Sequence, residues 1–334
     1  MYSKTTLSAL LGATLLFFAT TTLTGQLRPA SIFDRLTPSE GVQLTLYTDV
    51  SALMAEKFNT EYQAGTLTAA DGTSYKVEVK SRGKFRRKMA PIPPLKLKFK
   101  KKILQAEGLD TLNEIKLVLP CTLDEKGGEL VVREYLAYRM FERISPAGVR
   151  ARLINLTLLN AGLGNDKKIT VKAILLEDEE ETAARLGGEL VESYGISADS
   201  LEPAQAALTA VFQYMIGNTD WSVAENRNVR FVRDASGKIL LVPFDFDFCG
   251  LVNASYATPT AGLGLKNVRE RHLMAGGIPQ EAIDAAIRVF QTARPDFNRI
   301  CQSGLLSPAS ASGTVEYLDA FYRKLEKSGL KNPR

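Results

Sequence analysis

The sequence predicts an α+β fold in two lobes, strand-rich in its first half and helix-rich in its second. Three observations carry this. Period-two alternation of apolar and polar residues dominates up to residue 176, broken by one helical stretch. Helical spacing dominates from residue 204 onward, broken by one hairpin pattern. The chain has 334 residues, 45% apolar and 24% charged, the size and balance of two globular domains. Neither a disordered chain nor a multi-span membrane protein has that composition.

Residues 1–26 read as a secretory signal. Lys4 marks a short basic start, residues 7–19 form an uncharged and mostly apolar run, and a small, polar stretch follows. The run falls short of the roughly 20 residues a transmembrane helix needs, so no stable span is expected after cleavage. An uncleaved anchor is the alternative. The mature chain is thus expected outside the inner membrane, in the periplasm, the cell envelope or the extracellular space. Residues 27–177 form the expected strand-rich lobe and residues 178–334 the helical lobe.

In the first lobe, residues 42–47 and 75–80 alternate as half-buried strands do, with an Asp71-Gly72 turn between them. Leu95, Leu97 and Phe99 share one face of a strand whose other face carries Lys96 and Lys98, and Pro93-Pro94 gives it a rigid, extended entry. Residues 115–119 form another short apolar strand. Between residues 129 and 143, Leu130, Tyr135, Tyr138 and Phe141 fall on one side of a helix. Residues 152–159 and 168–176 pair as a hairpin around a turn containing Gly162-Leu163-Gly164.

In the second lobe, residues 204–216 form a strongly apolar helix. Residues 228–233 and 238–242 make a hairpin around Asp234-Ala235-Ser236-Gly237. Helices follow over residues 281–293 and 315–327, with Pro295 and the Ser-rich stretch 307–313 as breaks.

Composition narrows the chemistry. One histidine, His272, and three cysteines exclude a His-rich metal centre and a four-cysteine zinc site. Cys121 and Cys301 are the pair to consider for a disulfide, with Cys249 a small buried residue in an apolar motif. Carboxylates, lysines and amides remain. The densest group is Asn218-Thr219-Asp220 on a loop after the first helix, then Asn228 opening the hairpin, then Asp245 and Asp247 at its far end. A hairpin sets the start of its first strand beside the end of its second, so Asn228 should lie near Asp245. In an extended segment, Asp245 and Asp247 would share one face and Phe244, Phe246 and Phe248 the other. Two carboxylates plus an amide oxygen form a hard-oxygen site suited to Mg²⁺ or Mn²⁺. Taken singly, each of these residues could be a turn or capping residue.

The Asn218-Thr219-Asp220 loop, Asn228 and Pro243-Phe244-Asp245-Phe246-Asp247 resemble the CotH spore-coat kinase-like family and, more distantly, HipA-type kinases. Arg82-Gly83, followed by a basic stretch and Lys96-Leu97-Lys98, is similar to the Arg-Gly and lysine-strand segment of CotH-like proteins. The resemblance covers about residues 75–255. It implies a two-lobed protein-kinase-like fold that binds ATP with Mg²⁺ or Mn²⁺ and phosphorylates a hydroxyl on a protein or small molecule. Asp220 would be the catalytic base. Asn228, Asp245 and Asp247 would hold the metal. Lys96 or Lys98 would reach the phosphates, fixed by Glu134, and the nucleotide base would rest at Leu175-Leu176-Glu177. The sequence departs from the family pattern in two places. Eight residues separate Asp220 from Asn228, more than in the usual kinase loop, and Arg227 stands where many relatives carry His. No glycine-rich loop precedes the lysine strand, and no Walker A sequence occurs.

Two other classes stay open: a non-catalytic envelope scaffold of the same fold, and a metal-dependent hydrolase built on the same acids. Residues 84–102 hold nine Lys and Arg and no acid. With only Phe85 and Phe99 interleaved there is no stacking platform for nucleic acid, so a solvated or nucleotide-facing stretch is expected.

Overall fold

The computed structural model describes residues 28–161, 168–192 and 194–331. The expected signal segment and the Gly162-Leu163-Gly164 turn lie outside them. The strands in chain order are β1 (Val42–Thr48), β2 (Gln63–Thr68), β3 (Ser74–Ser81), β4 (Leu95–Phe99), β5 (Glu114–Val118), β6 (Ala151–Asn160), β7 (Lys168–Glu177), β8 (Glu189–Leu190), β9 (Val229–Arg233) and β10 (Ile239–Pro243). The helices are α1 (Ile32–Leu36), α2 (Val50–Ala55), α3 (Phe85–Met89), α4 (Lys101–Ala106), α5 (Glu125–Ile144), α6 (Glu179–Arg185), α7 (Pro203–Ile216), α8 (Gln280–Cys301) and α9 (Pro308–Ser328).

The first seven strands close into a barrel in the order β1-β2-β3-β4-β5-β7-β6. Each neighbouring pair is antiparallel except the closing one: β6 returns parallel to β1, from Val42↔Ile154 to Thr48↔Asn160. Leu44, Leu46, Leu67, Val79, Leu97, Ile115, Leu117 and Leu156 fill the interior and are fully buried. Each such side chain contributes roughly 1.5–3 kcal/mol through apolar burial. The alternation of β3 and β4 fits this: Tyr75, Val77, Val79, Leu95 and Leu97 point in, and Lys76, Glu78, Lys96 and Lys98 point out.

A second core joins α5, α7, α8 and α9 to the β9–β10 hairpin and to the outer face of β6 and β7. Aromatic rings knit it together: Phe212 meets Phe141 at 4.9 Å and Phe246 at 5.4 Å, and Tyr138 meets Phe246 at 4.7 Å. β8, β9 and β10 form a separate three-stranded sheet.

The kinase-like, two-lobed expectation is therefore corrected. The strands do not form a separate lobe of kinase type, because β6 seals them into a closed seven-strand barrel of mixed direction. α5, expected to serve the strand lobe, shares one core with α7, α8 and α9. Alternation tells which face of a strand is buried, but an open sheet and a barrel wall alternate alike, and the closing pair lies more than a hundred residues apart in sequence.

Two expected breaks also resolve differently. α8 continues through Pro295 to Cys301, because Phe290 and Phe297 are both fully buried and packing on either side holds the helix together. That packing outweighs the cost of about 3 kcal/mol for an interior proline. The Ser-rich stretch is a start rather than a break. Ser307 caps α9 by accepting from the Ser310 N–H, and Pro308 takes the first helical position. Among the described residues, no helix is long and apolar enough to cross a membrane.

Candidate active site

The loop after α7 is built by its own side chains. Gly217 ends the helix with φ 67°, and a Cβ there would stand 2.1 Å from the Tyr317 hydroxyl. The fully buried Asn218 donates from Nδ2 to Gln213 Oε1 (3.0 Å), and its Oδ1 accepts from the Asp220 N–H (2.9 Å). Thr219 is tied to Thr260 by two hydrogen bonds. Asp220 is thus carried on a rigid turn with its carboxylate half-buried. Burial raises its pKa, and Arg227 and Asn228 oppose the rise.

The β9–β10 hairpin brings the next residues in. The Phe244 N–H donates to the Asn228 carbonyl (3.1 Å), which closes the hairpin mouth as its geometry requires. Asn228 Nδ2 then donates to the Asp220 carbonyl (2.6 Å) and to Asp220 Oδ2 (2.9 Å), joining loop to hairpin. Asn226, Asn228 and Asp245 all adopt left-handed backbone, with φ between 51° and 63°. Such conformations in non-glycine residues cost free energy and cluster at functional sites.

The bend at Asp245 has a structural consequence. The segment is not extended there, so the three phenylalanines do not share a face. Phe246 is buried among Tyr138 and Phe212, Phe244 lies under Arg230, and Phe248 packs on Phe85 and Tyr256. The Asp245 N–H is fixed by the Tyr138 hydroxyl (2.9 Å), while its carboxylate makes no hydrogen bond or ion pair among the described residues. Burial pushes that carboxyl up to about 6, and the neighbouring Asp247 and Asp220 charges add to the rise, opposed by Arg86 and Arg82.

Asp247 is held differently. Its Oδ2 accepts from Arg86 Nε (3.0 Å) and from the Tyr256 hydroxyl (3.1 Å). Arg86, on α3, also pairs with Glu134 on α5, and all three side chains are buried. Burial raises the Glu134 carboxyl; Arg86 pulls it down, and Asp247 and Asp245 push it up further. Its second oxygen, Oε1, is buried without a hydrogen-bond partner. Arg86 is thus the hub of the acidic cluster. Within the basic stretch 84–102 nothing distinguished it from its solvated neighbours.

The structure therefore gathers Asp220, Asn228, Asp245, Asp247 and Glu134 into one neighbourhood and leaves the lysines out of it. The pairing expected between Glu134 and Lys96 or Lys98 is not made. Lys96 pairs with Glu114 and lies 3.6 Å from Asp178, and Lys98 stands over the Tyr62 ring (5.6 Å) on the outer barrel wall. Glu177 is buried beneath Arg150 and Arg185, at 2.7 and 2.6 Å. Burial would raise its pKa, but the two guanidinium groups hold it low. Cys121 and Cys301 are not joined. Both are free thiols, as is Cys249, with Cys301 buried in α8.

Beside Asp245, a narrow cleft of about 20 Å³, room for a single water, lies between the barrel wall and the hairpin, lined by Arg82, Lys116, Val149, Leu176, Glu177, Glu179, Arg230 and Phe244.

A divalent cation fits the cluster by charge and donor type. Among the described residues, no three His, Cys, Asp or Glu side chains already stand in ligand spacing. The donors are nonetheless all hard oxygens: the unengaged Asp245 carboxylate, the Asp247 carboxylate with one oxygen spare, Asn228 Oδ1 and Asp220. Raised carboxyl pKa values mark a site short of positive charge. No protein-family model and no curated protein matches this chain.

Proposed function

We propose that the pocket of Asp220, Asn228, Asp245 and Asp247 binds Mg²⁺ or Mn²⁺ together with ATP, and that the protein transfers the terminal phosphoryl group to a hydroxyl of a protein or small molecule outside the inner membrane. The observation that carries this is the Asp245 carboxylate. It is held on left-handed backbone, unpaired, and destabilised in its charged form by two neighbouring carboxylates. A carboxylate placed at such cost and given no internal partner suits an external cation.

Asn228 and Asp245 would hold the cation, with Asp247 supporting from its anchored position. When bound, the cation would neutralise charge on the phosphate oxygens. Asp220 would accept the proton of the acceptor hydroxyl as the bond from oxygen to phosphorus forms and the bond to ADP breaks. Its burial favours that role, because a raised pKa makes a better base. These are the residues on which the resemblance to CotH-like proteins rests. The proposal keeps the chemistry implied by that resemblance without its fold.

Thermal denaturation of the purified chain with ATP and either metal tests this. Saturation at a hundredfold over Kd adds about 2.7 kcal/mol, which reads as a rise in Tm of several degrees. The rise should require both metal and nucleotide and disappear in Asp245→Asn. Intact mass should then show phosphate added to the chain or to an offered acceptor, and none with Asp220→Asn. No rise at millimolar nucleotide with either metal would remove ATP from the account. A rise with metal alone and no transferred phosphate would replace kinase chemistry with a hydrolase or a scaffold.

A further inference from the structure

The short helix α3 turns its two faces to different surroundings. At about 3.6 residues per turn, Arg86 and Ala90 share the inward side, where both are buried and Arg86 meets Glu134 and Asp247. The outward crest carries Lys84 and Lys88, both exposed. Phe85 and Met89 fall on one flank of that crest, 37% and 56% exposed. On the other flank Arg87 lies over the ring of Phe58 (5.2 Å), which is 60% exposed on the loop after α2. That loop is pinned to the helix, since Lys57 Nζ donates to the Ala90 carbonyl (2.6 Å).

Phe58 and Met89 are, after Tyr194, the most exposed large apolar side chains among the described residues. A single exposed apolar residue is ordinary, but here three of them flank a row of cations. Of Lys84, Arg86, Arg87 and Lys88, only Arg86 is ion-paired among the described residues, and its partners lie inside. Arg87 Nε is buried with no hydrogen-bond partner. No acid occurs from residue 79 to residue 106. The adjoining loop carries Glu56 and Glu61. Asn59 donates to Glu56 (3.2 Å), and Lys57 stands between the two acids, so the surface stays positive.

We infer that this surface docks on an anionic phospholipid bilayer, with Lys84, Arg87 and Lys88 on the headgroups and Phe58, Phe85 and Met89 in the interfacial layer. Charge complementarity chooses this occupant. Unpaired cations flanked by aromatic and thioether side chains match a negative surface with an apolar layer beneath it. The apolar side chains project beside a convex helix, a shape that enters lipid more readily than it clasps another chain. Phe85 packs on Phe248 (4.9 Å) and Tyr256 (5.4 Å), and Tyr256 donates to Asp247, so α3 stands between the acidic cluster and the membrane. Docking of this kind needs nothing of the phosphoryl-transfer chemistry.

Vesicle co-sedimentation of the purified full chain tests the docking. The chain should bind vesicles of phosphatidylcholine with phosphatidylglycerol, more weakly as salt rises, and bind phosphatidylcholine alone far less. Lys84→Gln and Lys88→Gln should each weaken binding about fivefold. Phe58→Ser and Met89→Ser, exposed changes that keep the wild-type Tm, should each weaken it about tenfold. Lys101→Gln with Lys102→Gln removes exposed charge from α4, at the other end of β4, and should leave binding as it is. Met89→Trp adds an indole to the buried Trp221, and the emission should shift to the blue on anionic vesicles. No binding to anionic vesicles at low salt overturns the docking, as does binding that the α4 pair weakens and the α3 changes do not. Binding to soluble polyglutamate in place of vesicles, indifferent to Phe58 and Met89, gives the surface to an acidic protein and overturns it too. Attachment through the apolar run of residues 7–19 would persist on neutral vesicles with no blue shift from position 89, which is a further contrary result.

Discussion

Arg86→Met is expected to cost the protein about 3–5 kcal/mol of stability, the range found when one partner of a buried ion pair is removed. Arg86 is buried and serves two buried acids, Glu134 on α5 and Asp247 after β10. Methionine matches its apolar stem but strands both carboxylates, and Glu134 already has one oxygen without a partner. Restoring balance tests the cause. Adding Glu134→Gln and Asp247→Asn to Arg86→Met should recover a substantial part of the loss, because the penalty lies in uncompensated charge rather than in lost packing. Urea denaturation reads this as a shift in midpoint at constant m-value. A cost below about 1 kcal/mol would mean that water reaches the acids and that Arg86 is not the hub of a dry network.

Asp245→Asn should do the opposite, stabilising the metal-free protein while abolishing its function. The folded Asp245 carboxyl sits at about 6, above its ordinary value of 3.8. A carboxyl raised on folding adds nothing unfavourable when protonated in both states. Stability is therefore full below about pH 4 and is lost as pH rises through about 6, where only the unfolded chain ionises freely. The amide removes that loss. With discounting for the half-open cleft, the gain at neutral pH is about 1–2 kcal/mol, and it should vanish in acid. Asparagine also tolerates the left-handed backbone at this position, so no strain offsets the gain. The same variant should lose phosphoryl transfer by a hundredfold or more, by analogy with the removal of other charge-stabilising groups at about 10²–10³. Equal stability across the pH range would show that Asp245 is an ordinary solvated carboxylate.

The parts of this site that could be read from sequence are those that local geometry decides. The Gly217-Asn218 turn ends α7 because glycine accepts φ 67°, and Asp220 then sits on the loop that follows. A hairpin with Asp234-Ala235-Ser236-Gly237 at its tip must return Phe244 to Asn228. The parts that could not be read depend on distant partners. Barrel closure is set by the parallel register of β1 on β6, which leaves no trace in either strand's alternation. Arg86 belongs to a run of basic residues, and only the arrival of Glu134 and Asp247 from other elements makes it a buried hub. The clean alternation of β4 predicts that Lys96 and Lys98 share a face, but it does not tell that this face is the outer barrel wall, where they meet Glu114 and Tyr62. The cations that do line the cleft, Arg82, Lys116 and Arg230, come from three separate strands or their ends, and no sequence window contains them together.

The most direct test of the central claim is a titration of Mn²⁺ into the nucleotide-free protein, repeated from mildly acidic to neutral pH. One saturable site per chain is expected, with affinity rising as the pH passes about 6 because the cation must displace a proton from Asp245, and with that site absent in Asp245→Asn. Binding that fails to saturate in the millimolar range, or that persists unchanged in Asp245→Asn, would contradict the account.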